Sequence, residues 1–269
     1  MAENYDVLEK IIPLFDSPEK YGEIEEYLSM NSNLPSPRGN LTLAFKFAEC
    51  FEKSSISKDM MEKLIEWVNL SEEEAPVNHP KEFLPFCGIL SLGAHYPFAD
   101  DETRNHIMMQ FKVAMNDRRW RTREGVAMGF QKIAEKDFNP IKKYFTLWYP
   151  DTNYLEKRAF VAALAHPPIL KDEKVVRFSL IMSEDILKDI LSYSSTELRT
   201  EEFKVLSKGL EYALSVFVTE LPEEGFELLK KYAKLNNPIL NKIIKVNLSK
   251  ARLYKKYPEK VAEVISLIK

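Results

Sequence analysis

The stretch "DRRWRTREGVAMGF", residues 117–130, decides how this chain is read. Asp117 and four arginines surround Trp120, and an apolar run with helical spacing follows. With Val126 set at 0° and a step of ~100° per residue, Phe130 falls at about 40°, Ala134 at about 80° and Ala127 at about 100°. Arg123 falls at about 60°, inside that apolar face. A cation so placed needs a partner. Asp117, six residues earlier, and Asp151, further along the chain, are the acids in position to supply one.

Shifting the stretch by 34 residues superposes it on a second copy. Asp117 meets Asp151, Trp120 meets Tyr154 and Arg123 meets Lys157. Val126, Ala127 and Phe130 meet Phe160, Val161 and Leu164. Acid, aromatic, base and apolar residues keep their places, which marks an internal repeat.

Helical spacing extends outward in both directions. It is clear in "LTLAFKFAECF" (41–51), "MMEKLIEWV" (60–68), "FLPFCGILSLGA" (83–94) and "EEFKVLSKGLEYALSVFV" (201–218). Strand-like alternation is scarce, and Asn-Gly and Asp-Gly hairpin pairs are absent. Most of the 15 prolines fall at seams between helical runs, as expected of a residue that ends helices but fits their first turn. Pro85 lies within an apolar run and fits if its helix begins near Phe83. The runs predict helices near 3–15, 19–30, 40–53, 58–69, 81–96, 101–115, 119–135, 138–148, 153–166, 172–191, 199–219, 222–235, 238–248 and 258–268. Short connections turn these into about seven antiparallel pairs of ~38 residues, a usual repeat length for helical solenoids.

Of the 269 residues 45% are hydrophobic, enough for a sizeable core, and only 8 are glycine. The predicted architecture is all-α and a single domain over 1–269. The opening "MAENYDVLEK" has no basic or apolar signal region, and no apolar run reaches ~18 residues. Cys50 and Cys87 sit in apolar helical patterns and read as buried free thiols. A cytoplasmic protein without a membrane span is therefore expected.

The net charge of −3 conceals segregation. Segment 103–143 carries +6 and segment 226–269 carries +8, leaving −17 on the rest. Such asymmetry can mark a partner surface.

An aspartate in a turn, a base six positions later and a following apolar helix resemble the inner-helix signature of HEAT repeats. The departure is Thr122, where an aliphatic residue is usual. The resemblance implies a right-handed α-α superhelix, HEAT- or armadillo-like. It also implies ladders between repeats, with Asp117 and Arg123, and Asp151 and Lys157, as structural ladder residues. "NLPSPRGNLTLAFKFA" (33–48), "FLPFCGILSLGA", "RWRTREGVAMGFQKIA" (119–134) and "KRAFVAAL" (157–164) resemble an uncharacterised prokaryotic group of HEAT-like proteins. A more distant resemblance is to helical-repeat alkylpurine DNA glycosylases, which implies an aromatic-lined aspartate on a basic concave surface. No motif here carries their catalytic residues across.

Arg118, Arg119 and Arg121 read as a solvated face, or alternatively as phosphate contacts with Trp120 as a stacking platform. Lys142 and Lys143 would extend that surface. "SPRGN" (36–40) reads as a loop in which Gly39 takes an unusual backbone angle and Asn40 caps a helix. Its alternative is an anion site using Arg38. "LWYPD" (147–151) brings Trp148 and Tyr149 beside Asp151, which the repeat already explains. His79, His95, His106 and His166 have no paired ligand spacing, so neither metal nor cofactor is expected. No phosphate-binding loop or nucleophile elbow occurs.

The expected function is non-catalytic binding of a macromolecule on a concave solenoid face. A protein partner is favoured, with nucleic acid possible through segments 103–143 and 226–269. The alternative is a nucleic-acid-acting enzyme resembling the alkylpurine glycosylases. An unpaired carboxylate ringed by Trp or Tyr would favour the enzyme, and paired charges the binder.

Overall fold

The computed structural model describes residues 8–269, and over them the protein is all-α. Helical residues 8–11 are followed by fourteen α-helices and short 3-10 turns, with no strand among the described residues. The described residues gather into two compact units that meet in the chain at Asp137 and Phe138. The first unit holds α1 (Tyr21–Met30), α2 (Leu41–Glu49), α3 (Lys58–Val68), α4 (Phe83–His95), α5 (Asp101–Ala114) and α6 (Trp120–Lys136). The second holds α7 (Asn139–Trp148), α8 (Tyr154–Leu164), α9 (Glu173–Ser192), α10 (Glu201–Glu220), α11 (Pro222–Ala233), α12 (Pro238–Leu248), α13 (Ala251–Tyr254) and α14 (Pro258–Ser266).

The helices fall where the periodicity places them, apart from the single-turn α13, which is too short to leave a periodic trace. Residues 3–7 of the first expected helix lie outside the described residues, and Pro13 sits in a 3-10 turn at Ile12–Leu14. The starts are chemically marked. Asn40, Ser57, Asp100, Asp172, Thr200 and Asn237 each accept a hydrogen bond from a first-turn N–H, satisfying a donor that the helix leaves open. Asn153 and Glu156 form a reciprocal capping box. Pro222, Pro238 and Pro258 open their helices, and Pro85 lies in the first turn of α4.

In the first unit the closest packing joins alternate helices. α2 lies on α4 and α4 on α6, while α3 and α5 form an outer row. All of α4, from Phe83 to His95, is buried, as its apolar character on every side requires. Glycines set the spacing. A Cβ on Gly88 would lie 2.9 Å from the carbonyl oxygen of Leu64, and one on Gly93 would lie 2.7 Å from that of Gly129. Gly93 and Gly129 thus bring the backbones of α4 and α6 into direct contact. The second unit repeats the plan with α8, α10 and α12 in one row and α9, α11 and α14 outside. Buried Asn247 ties its row together, accepting from Ser215 N at 2.7 Å and donating to Leu210 O at 2.9 Å.

The apolar positions of the 34-residue repeat, Val126, Ala127, Phe130, Phe160, Val161 and Leu164, are all buried. Cys87 is buried and Cys50 half-buried, and both are free thiols. The reading of Gly39 is corrected: no glycine has a positive φ, and the left-handed residue of that loop is Asn33. Gly39 instead packs against the Phe83 ring, where an added Cβ would lie 3.6 Å away.

Gly93→Val should lower the urea midpoint with an unchanged slope, at a cost of about 1–3 kcal/mol, as overpacking does. Gly22→Ala is the control. Nothing lies within 4 Å of a Cβ there, so the same measurement should show a gain of about 0.5–1 kcal/mol.

Candidate functional site

The turn between α5 and α6 places the opening arginines, and it buries two of them. Arg119 is 2% exposed. Its Nε and Nη2 grip the two oxygens of Asp117 at 2.9 and 2.6 Å. Nη1 donates to Ser71 O and Ala75 O, and Nη2 also donates to Leu70 O. Every polar hydrogen of the guanidinium is used. Asp117 also accepts from the Arg119 backbone N–H at 2.7 Å. One buried arginine thus pins the loop that leaves α3.

Arg121 is 5% exposed. Its Nη1 donates to Glu82 Oε2 at 2.8 Å and to Asn78 Oδ1 at 2.9 Å, and its Nη2 to Ser36 O. Glu82 is fully buried and also accepts from Asn78 N at 2.7 Å. Asn78 has φ 63°, a left-handed conformation that asparagine tolerates. Arg121 therefore joins loop 33–40, the entry to α4 and the start of α6. Its guanidinium also lies 4.6 Å from the Trp120 ring, which is 46% exposed. Reading Arg119 and Arg121 as a solvated face is therefore corrected: both are buried, with their guanidinium groups engaged inside the protein. A charged group is buried only when paired, and both are.

The anchored loop forms one wall of an open groove of about 590 Å³. Its lining is apolar at Val68, Leu70, Val113 and Ala114 and charged at Glu72, Glu73 and Arg118. Val113 is 64% exposed. Asn69 donates to Gln110 at 2.8 Å across the gap between α3 and α5. In the loop itself, Ser71 donates twice to Glu74, by its N–H and its hydroxyl. Asp117 and Arg119 neutralise each other, so the remaining charge of the lining is two acids against Arg118. The second unit carries its own groove of about 620 Å³, lined by Leu180, Ile181 and Leu228 and by four acids, all paired: Glu184 with Lys231, Glu224 with Arg177, Glu223 with Lys260 and Glu227 with Lys230.

The other expected residues lie as follows. Arg38 and Arg118 are exposed in the first unit, Lys142 and Lys143 on α7 in the second. Asn40 caps α2 through Leu43 N at 3.1 Å, as expected. The ladder pairings are redrawn. Asp117 is held by Arg119, because a base two residues away in the turn closes a two-pronged bond. Arg123 Nη1 donates to the carbonyl oxygens of Asp117 and Arg118. Lys157 pairs with Asp189 at 2.7 Å and Tyr193 Oη at 2.9 Å, while Asp151 is exposed.

That lysine belongs to a cluster the repeat pattern does not reveal. Tyr149 Oη donates to Asp189 Oδ2 at 2.6 Å, and the Tyr149 and Tyr193 rings lie 5.3 and 5.6 Å from Lys157 Nζ. Burial first, then the bond to Asp189, pushes the Tyr149 phenol far above its ordinary range. Burial works against the Lys157 ammonium, but its bonds to Asp189 and Tyr193 outweigh that and raise its pKa. Both shifts favour a protonated tyrosine and a charged lysine at neutral pH.

Among the described residues no three His, Cys, Asp or Glu side chains group to hold a metal, and no helix is long and apolar enough to cross a membrane. No protein-family model, curated protein or solved structure matches the chain.

Arg119→Ala should cost about 3 kcal/mol or more in chemical unfolding, because it takes the side-chain donor from Leu70 O, Ala75 O and the Asp117 carboxylate. Arg118→Ala and Arg38→Ala should stay within about 0.5 kcal/mol. Equal effects at Arg118 and Arg119 would contradict the assigned geometry.

Proposed function

We propose that the chain is a non-catalytic binding module whose partner is a protein segment combining apolar and basic side chains. The observation that carries this reading is the groove between α3 and α5: an apolar lining, an excess of acid, and a wall anchored by Arg119 before any partner arrives. A preformed groove spares the partner the cost of ordering it. At that groove Glu72 and Glu73 outnumber Arg118, which disfavours phosphate and suits lysine or arginine.

The finer architecture belongs to the same proposal. Packing between alternate helices in each unit supports a HEAT-like, right-handed α-α superhelix of about seven antiparallel pairs, with the groove as part of its binding surface. Free thiols at Cys50 and Cys87 suit a reducing cytoplasm. The second reading, a glycosylase-like enzyme, draws on Asp189 ringed by Tyr149 and Tyr193. Lys157 and Tyr149 both engage that carboxylate, which favours the binder.

Phage-displayed peptides selected on the full chain should be enriched in Lys or Arg beside large apolar residues. Val113→Glu or Glu72→Lys with Glu73→Lys should weaken the selected peptides about tenfold or more while leaving the unfolding midpoint in place. Selection of acidic peptides, or binding untouched by these changes, would sink the groove reading. Release of an alkylated base from DNA by the wild type would favour the enzyme.

A further inference from the structure

The structure divides the cations of the two basic segments into those it consumes and those it leaves available. In 103–143, Arg119 and Arg121 are buried. Arg104 donates to Tyr96 O and Pro97 O, and Lys132 and Lys136 pair with Glu52. In 226–269, Lys230 pairs with Glu227 and Glu263, Lys231 with Glu184, Lys242 with Glu211 and Lys260 with Glu223. Of the other seven, Lys234 and Lys269 lie apart in the sequence, and five follow one another closely along it. Lys245 lies in the last turn of α12, and Lys250, Arg252, Lys255 and Lys256 lie in and beside α13. All five are exposed or half-exposed, and among the described residues none lies within the 4.0 Å of a carboxylate that defines an ion pair. Between Glu227 and Glu259 the chain has no acidic residue at all. Glu220 and Glu259, which flank this surface in α10 and α14, do not pair with it.

This surface is held in place. Leu253 is buried, Tyr257 Oη donates to Thr219 O at 3.4 Å, and the Arg252 guanidinium lies 4.9 Å from the Tyr212 ring on α10. Tyr212 is 49% exposed and Tyr254 is 45% exposed, so flat aromatic faces stand among the cations. Over residues 236–264 Tyr254 is the only large apolar side chain that is exposed.

We infer that the α12–α13 surface docks single-stranded nucleic acid, with Lys245, Lys250, Arg252, Lys255 and Lys256 on phosphates and Tyr212 and Tyr254 as stacking platforms. Unpaired cations gathered on a fixed surface favour a polyanion, because neutralising phosphates releases counterions. Exposed rings among them favour a strand whose base faces are open. A duplex hides those faces, and an acidic protein makes no use of the rings. The inference is independent of the grooves.

The test is fluorescence anisotropy on the full chain with labelled oligothymidylate and a duplex of the same length, each at two salt concentrations. Polyglutamate and phosphatidylserine vesicles serve as competitors. Binding should favour the single strand and weaken steeply with salt. Lys250→Glu with Arg252→Glu and Lys255→Glu should weaken it about a hundredfold, and Tyr254→Ala about fivefold with the salt slope kept. Lys142→Glu with Lys143→Glu should leave it unchanged. If circular dichroism shows the triple variant unfolded, Lys255→Glu with Lys256→Glu, at two exposed positions, carries the same expectation at about tenfold. No binding at low salt, binding indifferent to these reversals, a preference for duplex, or stronger competition by polyglutamate or vesicles would each overturn the inference.

Discussion

A guanidinium cannot shed its charge, and it carries five N–H donors in a fixed plane. Burying one therefore dictates its surroundings. Arg119 meets that demand with Asp117 and three carbonyls of the segment that leaves α3. Leu70 O and Ala75 O rely on the guanidinium, whereas Ser71 O also accepts from Ala75 N at 2.9 Å. Arg121 imposes a similar constraint on Ser36, Asn78 and Glu82. Such pairs add little net stability compared with apolar packing, but removing one partner is costly. Their contribution is to select one arrangement of loops around α4, and the groove wall follows from it.

The helices were legible in the sequence because their determinants are local. Capping side chains, first-turn prolines and the recurrence of Val126, Ala127 and Phe130 each act within a few residues. Choice of partner is a different matter. Nothing near Arg121 in the chain points to Glu82 or Ser36, which lie 39 and 85 residues away. The helical wheel places Arg123 on the apolar face, and it is half-buried there. The wheel does not show that Arg119, one turn earlier, occupies Asp117 first. Asp189, the partner of Lys157, lies beyond the repeat in which Asp151 was the nearer acid. Gly39 illustrates the same limit: its φ is not positive, and an added Cβ would meet Phe83 at an ordinary contact distance, so nothing in the structure explains the glycine.

The charge segregation acquires a physical form. Acids line the two open grooves, whereas the basic excess of 226–269 concentrates around α13. The excess in 103–143 is drawn largely inward, where it fastens loops and pairs with Glu52. A protein segment at an acidic groove and a polyanion at α13 are compatible on one chain, because the two surfaces share no residue. Near Asp189 the charges are engaged with one another, which suits rigidity in the second unit better than proton transfer.

The most direct measurement of whether the opening arginines are internal fasteners is guanidinium NMR on the full chain labelled with nitrogen-15. Arg119 and Arg121 should show separately resolved Nη protons, with hindered rotation and slow exchange with water. Arg38 and Arg118 should show averaged, rapidly exchanging signals. Averaged and rapidly exchanging signals from Arg119 and Arg121 as well would contradict their burial and return all four to the candidates for ligand contact.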